Sequence, residues 1–232
     1  MRREPALPCT PKRGNRRRMK RAIADRGPRR PIAELLIITL NAGTEAERAH
    51  VDHEAWQILR RKQGYITHRI YRHLTNPLQR LVYSEWEGVK AVDGARQHLQ
   101  GTPLMRRARA ALATAPQRLV LEIAGPITST KGLDLPDDAV AASAVARLKA
   151  PLDSWRVTEQ EFWKTLASQP GHITHVLLRG VDDGSVVGSL SHWAGADAFQ
   201  KALAHVDRSV AARVSDALSS PLEYVLYGLL RD

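Results

Sequence analysis

Along the chain, hydrophobic and polar positions run through the same series of patterns twice. Leu35 to Leu40 (LLIITL) is a continuous apolar run of strand length. Thr44-Glu45-Ala46-Glu47 has capping-box spacing, and Val51, Ala55, Ile58 and Leu59 follow at helical intervals until Gly64, which predicts a helix stopped by glycine. Residues 65–74 and 78–86 are β-rich runs joined at Asn76-Pro77, a predicted hairpin. Val89, Val92, Arg96 and Leu99 predict a second helix, and Pro103 is placed to open another segment through Leu112. Arg118 to Ile123 (RLVLEI) closes the unit as a strand. The second series starts with Ala144 to Ala150 (AVARLKA) and has a capping box at Thr158-Glu159-Gln160-Glu161 and a hairpin turn at Asp182-Asp183-Gly184. A helix carrying Ala196, Phe199, Leu203 and Val206 and a strand from Tyr224 to Leu230 complete it.

The two series are copies. Residues 64–99 align without a gap onto 171–206, a shift of 107, with 11 identities in 36 positions: Gly64, Ile66, Thr67, His68, Arg72, Ser84, Trp86, Gly88, Ala91, Ala95 and His98. Unrelated stretches would share about two at average residue usage. Glu54-x-Trp56 meets Glu161-x-Trp163 at the same shift. Each copy reads β-α-β-β-α-β, which puts both helices on one face of a four-stranded antiparallel sheet and leaves the other face to be covered. The second copy can cover it. The prediction is an α+β fold in which two tandem ferredoxin-like βαββαβ repeats pack sheet to sheet as an intrachain α+β barrel with helices outside. Burial of two apolar faces, at roughly 25 cal/mol per Å², drives that packing. The boundaries follow: 1–31 a basic tail expected to be disordered, 32–124 the first domain, 125–141 a linker without periodicity, and 142–232 the second domain.

Net charge changes the picture only at one end. The chain carries +11, but residues 1–31 hold 12 Lys and Arg against Glu4 and Asp25, so the remaining 201 residues stand near +1. A nucleic-acid or anionic-lipid reading would have to rest on the tail alone, which reads more simply as a dispensable extension. No nucleic-acid partner is expected for the body. The only cysteine, Cys9, lies in the tail, which excludes disulfides and thiolate metal sites from the body and makes a cytoplasmic protein the simplest expectation. No apolar run is long enough to span a bilayer, so no membrane partner is expected.

The candidate chemistry sits on the strands. His68 and His175 share a strand face with apolar neighbours, where an imidazole can serve as general base near neutral pH or simply be a satisfied core residue. Trp86 and Trp193 end the third strand of each copy and can either stack on a planar substrate or anchor the core. The first copy is richer in polar aromatics and imidazoles, with Asn41, Tyr65, His68, Tyr71, His73, Tyr83 and Trp86, and is therefore expected to be the catalytic half. His50-x-x-His53-Glu54 has metal-ligand spacing on a helix but reads as a solvated face, so no metal is expected.

Three features carry a family resemblance: the Gly-x-Ile-Thr-His start of the second strand, the Trp ending the third (LVYSEW and VGSLSHW), and the following helix leading to HLQGTPLMRRA. With them the chain resembles the antibiotic biosynthesis monooxygenase family of the dimeric α+β barrel superfamily, over about residues 33–123 and again 142–230. Single-domain members work as homodimers, and this chain looks like a fused pair, an intrachain pseudo-dimer, with a further homodimer left open. The resemblance implies one of two activities. One is cofactor-free oxygenation of an aromatic polyketide-like phenol or anthrone toward a quinone, with O2 and a small aromatic substrate as partners and no cofactor. The other, oxidative haem degradation, uses an Asn matched here by Asn41 plus a Trp and a His; His98 and Ala108 or Arg109 stand at those places, so that triad is incomplete. Quinone-forming members often carry an Asn four residues before the strand-end Trp, where this chain has Val82 and Ser189. The expected catalytic set is His68 as base, Trp86 as stacking wall and Asn41, with Tyr71 as its alternative, as hydrogen-bond partner of the substrate oxygens. Tyr71, Tyr83, His73, His175 and Trp193 are the expected substrate-binding residues. A polyketide cyclase on the same fold and a non-catalytic binding or assembly module are the alternatives.

Overall fold

The computed structural model describes residues 30–126 and 129–230. The basic tail with Cys9 lies outside the described residues. The first repeat comprises β1 (Ile32–Thr39), α1 (Glu45–Leu59), β2 (Tyr65–His73), β3 (Gln79–Trp86), α2 (Val89–Leu99), α3 (Pro103–Ala110) and β4 (Gln117–Pro126). The second comprises β5 (Val140–Arg147), α4 (Leu152–Ala167), β6 (His172–Gly180), β7 (Val186–Trp193), α5 (Ala196–Ala204), α6 (Arg208–Ala217) and β8 (Val225–Leu230).

The eight strands close into one barrel in the order β1-β3-β2-β8-β5-β7-β6-β4. Every ladder is antiparallel. Each repeat supplies four neighbouring strands in the order of a ferredoxin-like sheet. Two ladders join the halves, β2 with β8 (Ile70 opposite Leu230) and β4 with β6 (Leu121 opposite Gly180). The expected intrachain α+β barrel is therefore the fold of this protein.

Strand alternation divides the apolar residues between two regions. Ala33, Leu35, Tyr71, Leu81, Tyr83, Leu121, Val176, Leu178, Leu190 and Tyr227 point inward and fill the barrel. Ile38, Leu40, Ile70, Val82 and Trp86 point outward and meet Val51, Trp56 and Leu59 of α1, Val92 and Leu99 of α2, and Leu104 of α3. The outer face of the second half packs likewise on Trp155, Phe162, Trp163, Leu166 and Phe199. Both faces of β1 are thus covered, which is why LLIITL is apolar without alternation.

Local details differ from the sequence expectation at the helix starts. The Thr44 hydroxyl does not cap α1; it donates to the carbonyls of Asn41 (2.7 Å) and Ala111 (3.1 Å). Helix α4 begins at Leu152, after Pro151, so Thr158 lies in its middle and the predicted capping box there is not one. The Ser/Thr-x-x-Glu spacing also arises inside a helix, and a proline whose fixed φ suits a helix start was the better signal. Strand β5 starts at Val140, earlier than the apolar run suggested. Helix α1 ends at Leu59 and α4 at Ala167, several residues before the glycines expected to stop them. Gly64 and Gly171 stand instead in the turns that lead into β2 and β6, at φ +80° and +84°, and a Cβ on either would lie 2.7 Å from the Cβ of Ala91 or Ala198. Those two glycines and two alanines, all identities of the duplication, form the same close approach twice.

The connection between the repeats folds back onto the first. Glu85, fully buried at the end of β3, accepts from the Thr130 N–H (2.6 Å), the Ser129 hydroxyl and the Tyr83 hydroxyl (2.8 Å). Arg69 Nη2 donates to the carbonyls of Thr130 (3.2 Å) and Leu133 (2.7 Å). No helix of the described residues is long and apolar enough to cross a membrane.

Candidate functional site

Between the outer face of the first half-barrel and helices α1, α2 and α3 lies a cavity of about 920 Å³. Its apolar wall comes from Leu36 and Ile38 on β1, Val82 on β3, Val51, Ala55, Trp56 and Leu59 on α1, Leu99 on α2, and Met105 and Leu112. The same place in the second half holds about 20 Å³, walled by Trp155, Phe162, Trp163 and Tyr224. The repeat shift explains the difference residue by residue. Arg48 becomes Trp155, Ala55 becomes Phe162 and Val92 becomes Phe199, and all three larger side chains are buried. One copy has filled its chamber with aromatic rings and the other has kept it open.

The chamber's charges fall into two groups. At one end Glu34, buried on β1, accepts from Arg96 Nη2 (2.6 Å) and Arg118 Nε (2.6 Å), and Arg118 Nη2 reaches Asp93 (2.9 Å). Two guanidinium groups there meet two carboxylates. At the other end Arg48 places Nε and Nη2 each 2.8 Å from Asp52 Oδ1, and Arg80 Nη1 stands 3.6 Å from Asp52 Oδ2. Here two buried guanidinium groups share one buried carboxylate. Burial lowers the pKa of Arg80, and its Nε has no hydrogen-bond partner among the described residues. Arg109, exposed at the rim, makes no ion pair among the described residues.

The residues expected to be catalytic or substrate-binding are dispersed, and none of them lines this chamber. The His68 ring stacks on Trp56 (centroids 3.9 Å apart), and its Nδ1 is 2.7 Å from the Tyr65 hydroxyl. It borders a separate space of about 230 Å³ with Arg69 and Leu133. Trp86 and Trp193 are buried, and each indole N–H donates over 2.9 Å to the serine two residues before it, Ser84 or Ser191. The exposed Asn41 amide donates to the carbonyls of Ala110 and Leu112 (both 3.2 Å), tying the end of β1 to the end of α3.

Tyr71 and Tyr83 point into the barrel, and burial raises the pKa of both phenols. The Tyr71 hydroxyl lies 2.8 Å from His192 Nε2, a contact between the two halves. His73 accepts the backbone N–H groups of Thr75 and Asn76 (both 3.1 Å) in the hairpin turn. His175 stacks on Trp163 (centroids 4.3 Å apart) with Nδ1 3.2 Å from His172 Nε2, and burial pushes its pKa down to about 4. His50 pairs with Glu54 (2.7 Å) on an exposed face, and the described residues hold no group of three or more metal-ligating side chains.

Sequence reasoning passed over Arg48 and Asp52, took Arg96 only as a helix position, and met Arg109 only as an unmatched place of the haem-degradation triad. Arg48 and Asp52 stand four residues apart on α1, a spacing that usually marks a solvated ion pair. Trp56 was visible as part of the repeated Glu-x-Trp, where it served only as evidence of duplication.

No family model matches the chain, and no curated protein matches its sequence. Solved structures do. A proposed monooxygenase from Fusobacterium nucleatum is 9% identical with a TM-score of 0.69, covering 87% of this chain and 93% of that one. A protein described as anthrone oxidase-like is 15% identical with a TM-score of 0.65, covering 87% and 92%. A proposed chlorite dismutase is 14% identical with a TM-score of 0.59, covering 87% and 95%. What this chain shares with them, over nearly the whole length of each, is the fold: a single-chain α+β barrel built from two ferredoxin-like halves.

Proposed function

We propose that this protein is a cofactor-independent monooxygenase that oxidises an aromatic phenol or anthrone toward a quinone in the chamber of its first half. The observation that carries this reading is the open chamber of about 920 Å³ beside a filled counterpart of about 20 Å³. A volume of that order, largely apolar with a few charged groups, suits a small planar ligand. Trp56 offers an aromatic wall and Leu36, Ile38 and Val82 a flat floor on the sheet. The shared fold of an anthrone oxidase-like protein supports the same substrate class.

The chemistry balances without a bound redox group. An anthrone methylene and O2 become a quinone carbonyl and one water. The methylene proton passes to water at the mouth of the chamber, and the electron-rich enolate can then pass an electron to O2 directly; the resulting radical pair combines to a peroxide anion, which takes a proton back from that water and loses one water molecule to leave the carbonyl. The chain's part is to hold the ring flat, exclude bulk water and favour the anion. No imidazole lines the chamber among the described residues, so His68 acts through the Trp56 ring on which it stacks, as a positioning residue. Trp86 and Asn41 hold the walls: the first anchors β3 beneath α2, the second fixes the end of α3.

The test is oxygen uptake by the purified protein, freed of cofactors, with a hydroxyanthrone. Quinone formation matched by oxygen consumption, lost in Ala55→Phe and reduced in His68→Ala, is the expected result. Product without oxygen uptake would favour the cyclase alternative, and no turnover with a blocked or unblocked chamber would remove the oxygenase reading.

A further inference from the structure

We propose that the Arg48 corner of the chamber is an oxyanion subsite, so that the aromatic ligand binds with a negatively charged oxygen, phenolate or carboxylate, beside the Arg48 guanidinium. The inference rests on the first-half chamber being the ligand site and adds the charge state of its occupant.

Charge balance carries the argument. At the far end of the chamber Arg96 and Arg118 are matched by Glu34 and Asp93. At the near end Arg48 and Arg80, each less than a tenth exposed, share Asp52 as their one ion-pair partner among the described residues. From further out, Glu45 and Arg72 act on Arg80 in opposite senses. A surplus buried cation is costly unless something pairs with it. Arg48 and Asp52 line the chamber, and Arg48 spends Nε and Nη2 on Asp52, leaving Nη1 with a 3.4 Å contact to the Ala108 carbonyl. That atom is the donor best placed for a ligand oxygen.

The second half serves as an internal control. Where the chamber is filled, Trp155 replaces Arg48 and Val187 replaces Arg80, and Glu159, aligned with Asp52, is paired one to one with Arg179 while accepting from the Trp155 indole N–H (3.1 Å). The surplus cation and the open space occur together in one half and are absent together from the other. An anion held at this corner would also explain how a phenol could react without an imidazole in the chamber: the guanidinium favours the ionised form of the ligand, as a preorganised cation does for any developing oxyanion.

The experiment compares three probes of one ring system by equilibrium dialysis against the full chain at neutral pH: 2-naphthoate, 2-naphthol, and 2-methoxynaphthalene, which cannot ionise. Naphthoate is expected to bind at least about tenfold more tightly than the methoxy compound, and bound naphthol to show the absorption of its anion at a pH where the free probe is neutral. The naphthoate arm reads the carboxylate source and the naphthol arm the phenolate source. Arg48→Gln is expected to abolish both effects, bringing naphthoate down to the affinity that methoxynaphthalene has for the same variant, with Asp52 keeping Arg80 as its partner. Arg48→Lys, which retains the charge, should keep most of the naphthoate preference and guards against misfolding of the glutamine variant. Equal binding of all three probes, or a preference that survives Arg48→Gln, overturns the subsite but leaves the chamber standing. Failure of every probe to bind removes the chamber reading and the subsite with it.

Discussion

Replacing Ala55 by Phe tests whether the difference between the two halves has been read correctly. Ala55 lines the open chamber, and its counterpart Phe162 is buried in the filled one. A phenylalanine there would gain about 100 Å² of buried apolar surface over alanine, worth about 2.5 kcal/mol at 25 cal/mol per Å². Fixing the ring returns about 0.5–1 kcal/mol of that in lost rotamer freedom, leaving a net stabilisation of about 1.5–2 kcal/mol. In a protein of this size the midpoint of thermal unfolding should rise by about 3–8 °C. The same ring would occupy the ligand's place, so naphthoate affinity should fall at least about tenfold. The assays are urea unfolding and equilibrium dialysis on one preparation. The mirror change, Phe162→Ala, empties a packed site and should cost about 3–5 kcal/mol with naphthoate binding intact. A destabilised Ala55→Phe protein, the ordinary outcome of overpacking a closed core, or unchanged probe affinity would refute the reasoning.

Other outcomes follow from geometry already described. Gly64→Ala and Gly171→Ala should each cost about 2 kcal/mol or more, because each combines positive φ with a 2.7 Å approach to an alanine Cβ; paired urea titrations check it, and a cost in one half only would break the equivalence. Burial lowers the His192 pKa to about 3 and that of His175 to about 4, against about 6.5 in the unfolded chain. The unfolded chain therefore binds the protons that the folded one refuses. This stability is fully present above about pH 6.5 and lost as pH falls toward 4, by up to about 1.4 kcal/mol per pH unit and group. Unfolding midpoints across that range should slope accordingly, and His192→Gln should flatten them; a flat wild-type profile would count against the buried neutral imidazoles. Tyr71→Phe leaves His192 Nε2 without its partner and should cost about 1–3 kcal/mol, whereas no loss would mean that this contact between halves is replaceable by water. Glu85→Ala should release residues 129–133 from β2 and β3, seen as faster proteolysis there with both halves still folded.

Strand and hairpin positions were legible because both faces of each strand are covered or the turn residues are distinctive. LLIITL is apolar throughout since Leu35 faces the barrel and Leu36 the helices, and Asn76-Pro77 and Asp182-Asp183-Gly184 mark the same turn by different chemistry. The duplication made the closed barrel foreseeable, as each sheet needed a cover. The chamber was not legible, because it is a place where atoms are missing. Ala55 and Val92 look like ordinary core positions until set beside Phe162 and Phe199. The first half drew attention through Asn41, His68, Tyr71, His73, Tyr83 and Trp86, and it does hold the chamber, yet none of these side chains lines it. Their polar groups are engaged in turns, strand ends and the barrel interior, which a sequence cannot distinguish from a ligand site. Conversely, Arg48 and Asp52 drew no notice, because the burial of a helix face around charged groups depends on α3, whose Ala108 carbonyl meets Arg48.

The two ladders that close the barrel impose an order on how this chain can be made. Strand β4 waits for β6, and β2 waits for β8, the last strand of the fold. Until the second half emerges from the ribosome, the first presents two bare strand edges and one uncovered apolar face, the features through which nascent chains pair wrongly. The correct partner is tethered through the connection between the halves, which keeps its local concentration high. A neighbouring molecule, however, carries identical edges, and its β8 would complete the same ladder with the same contacts. Refolding at rising protein concentration should therefore yield exchanged dimers with intact barrels, and how crowded the folding chains are will decide how many molecules close on themselves.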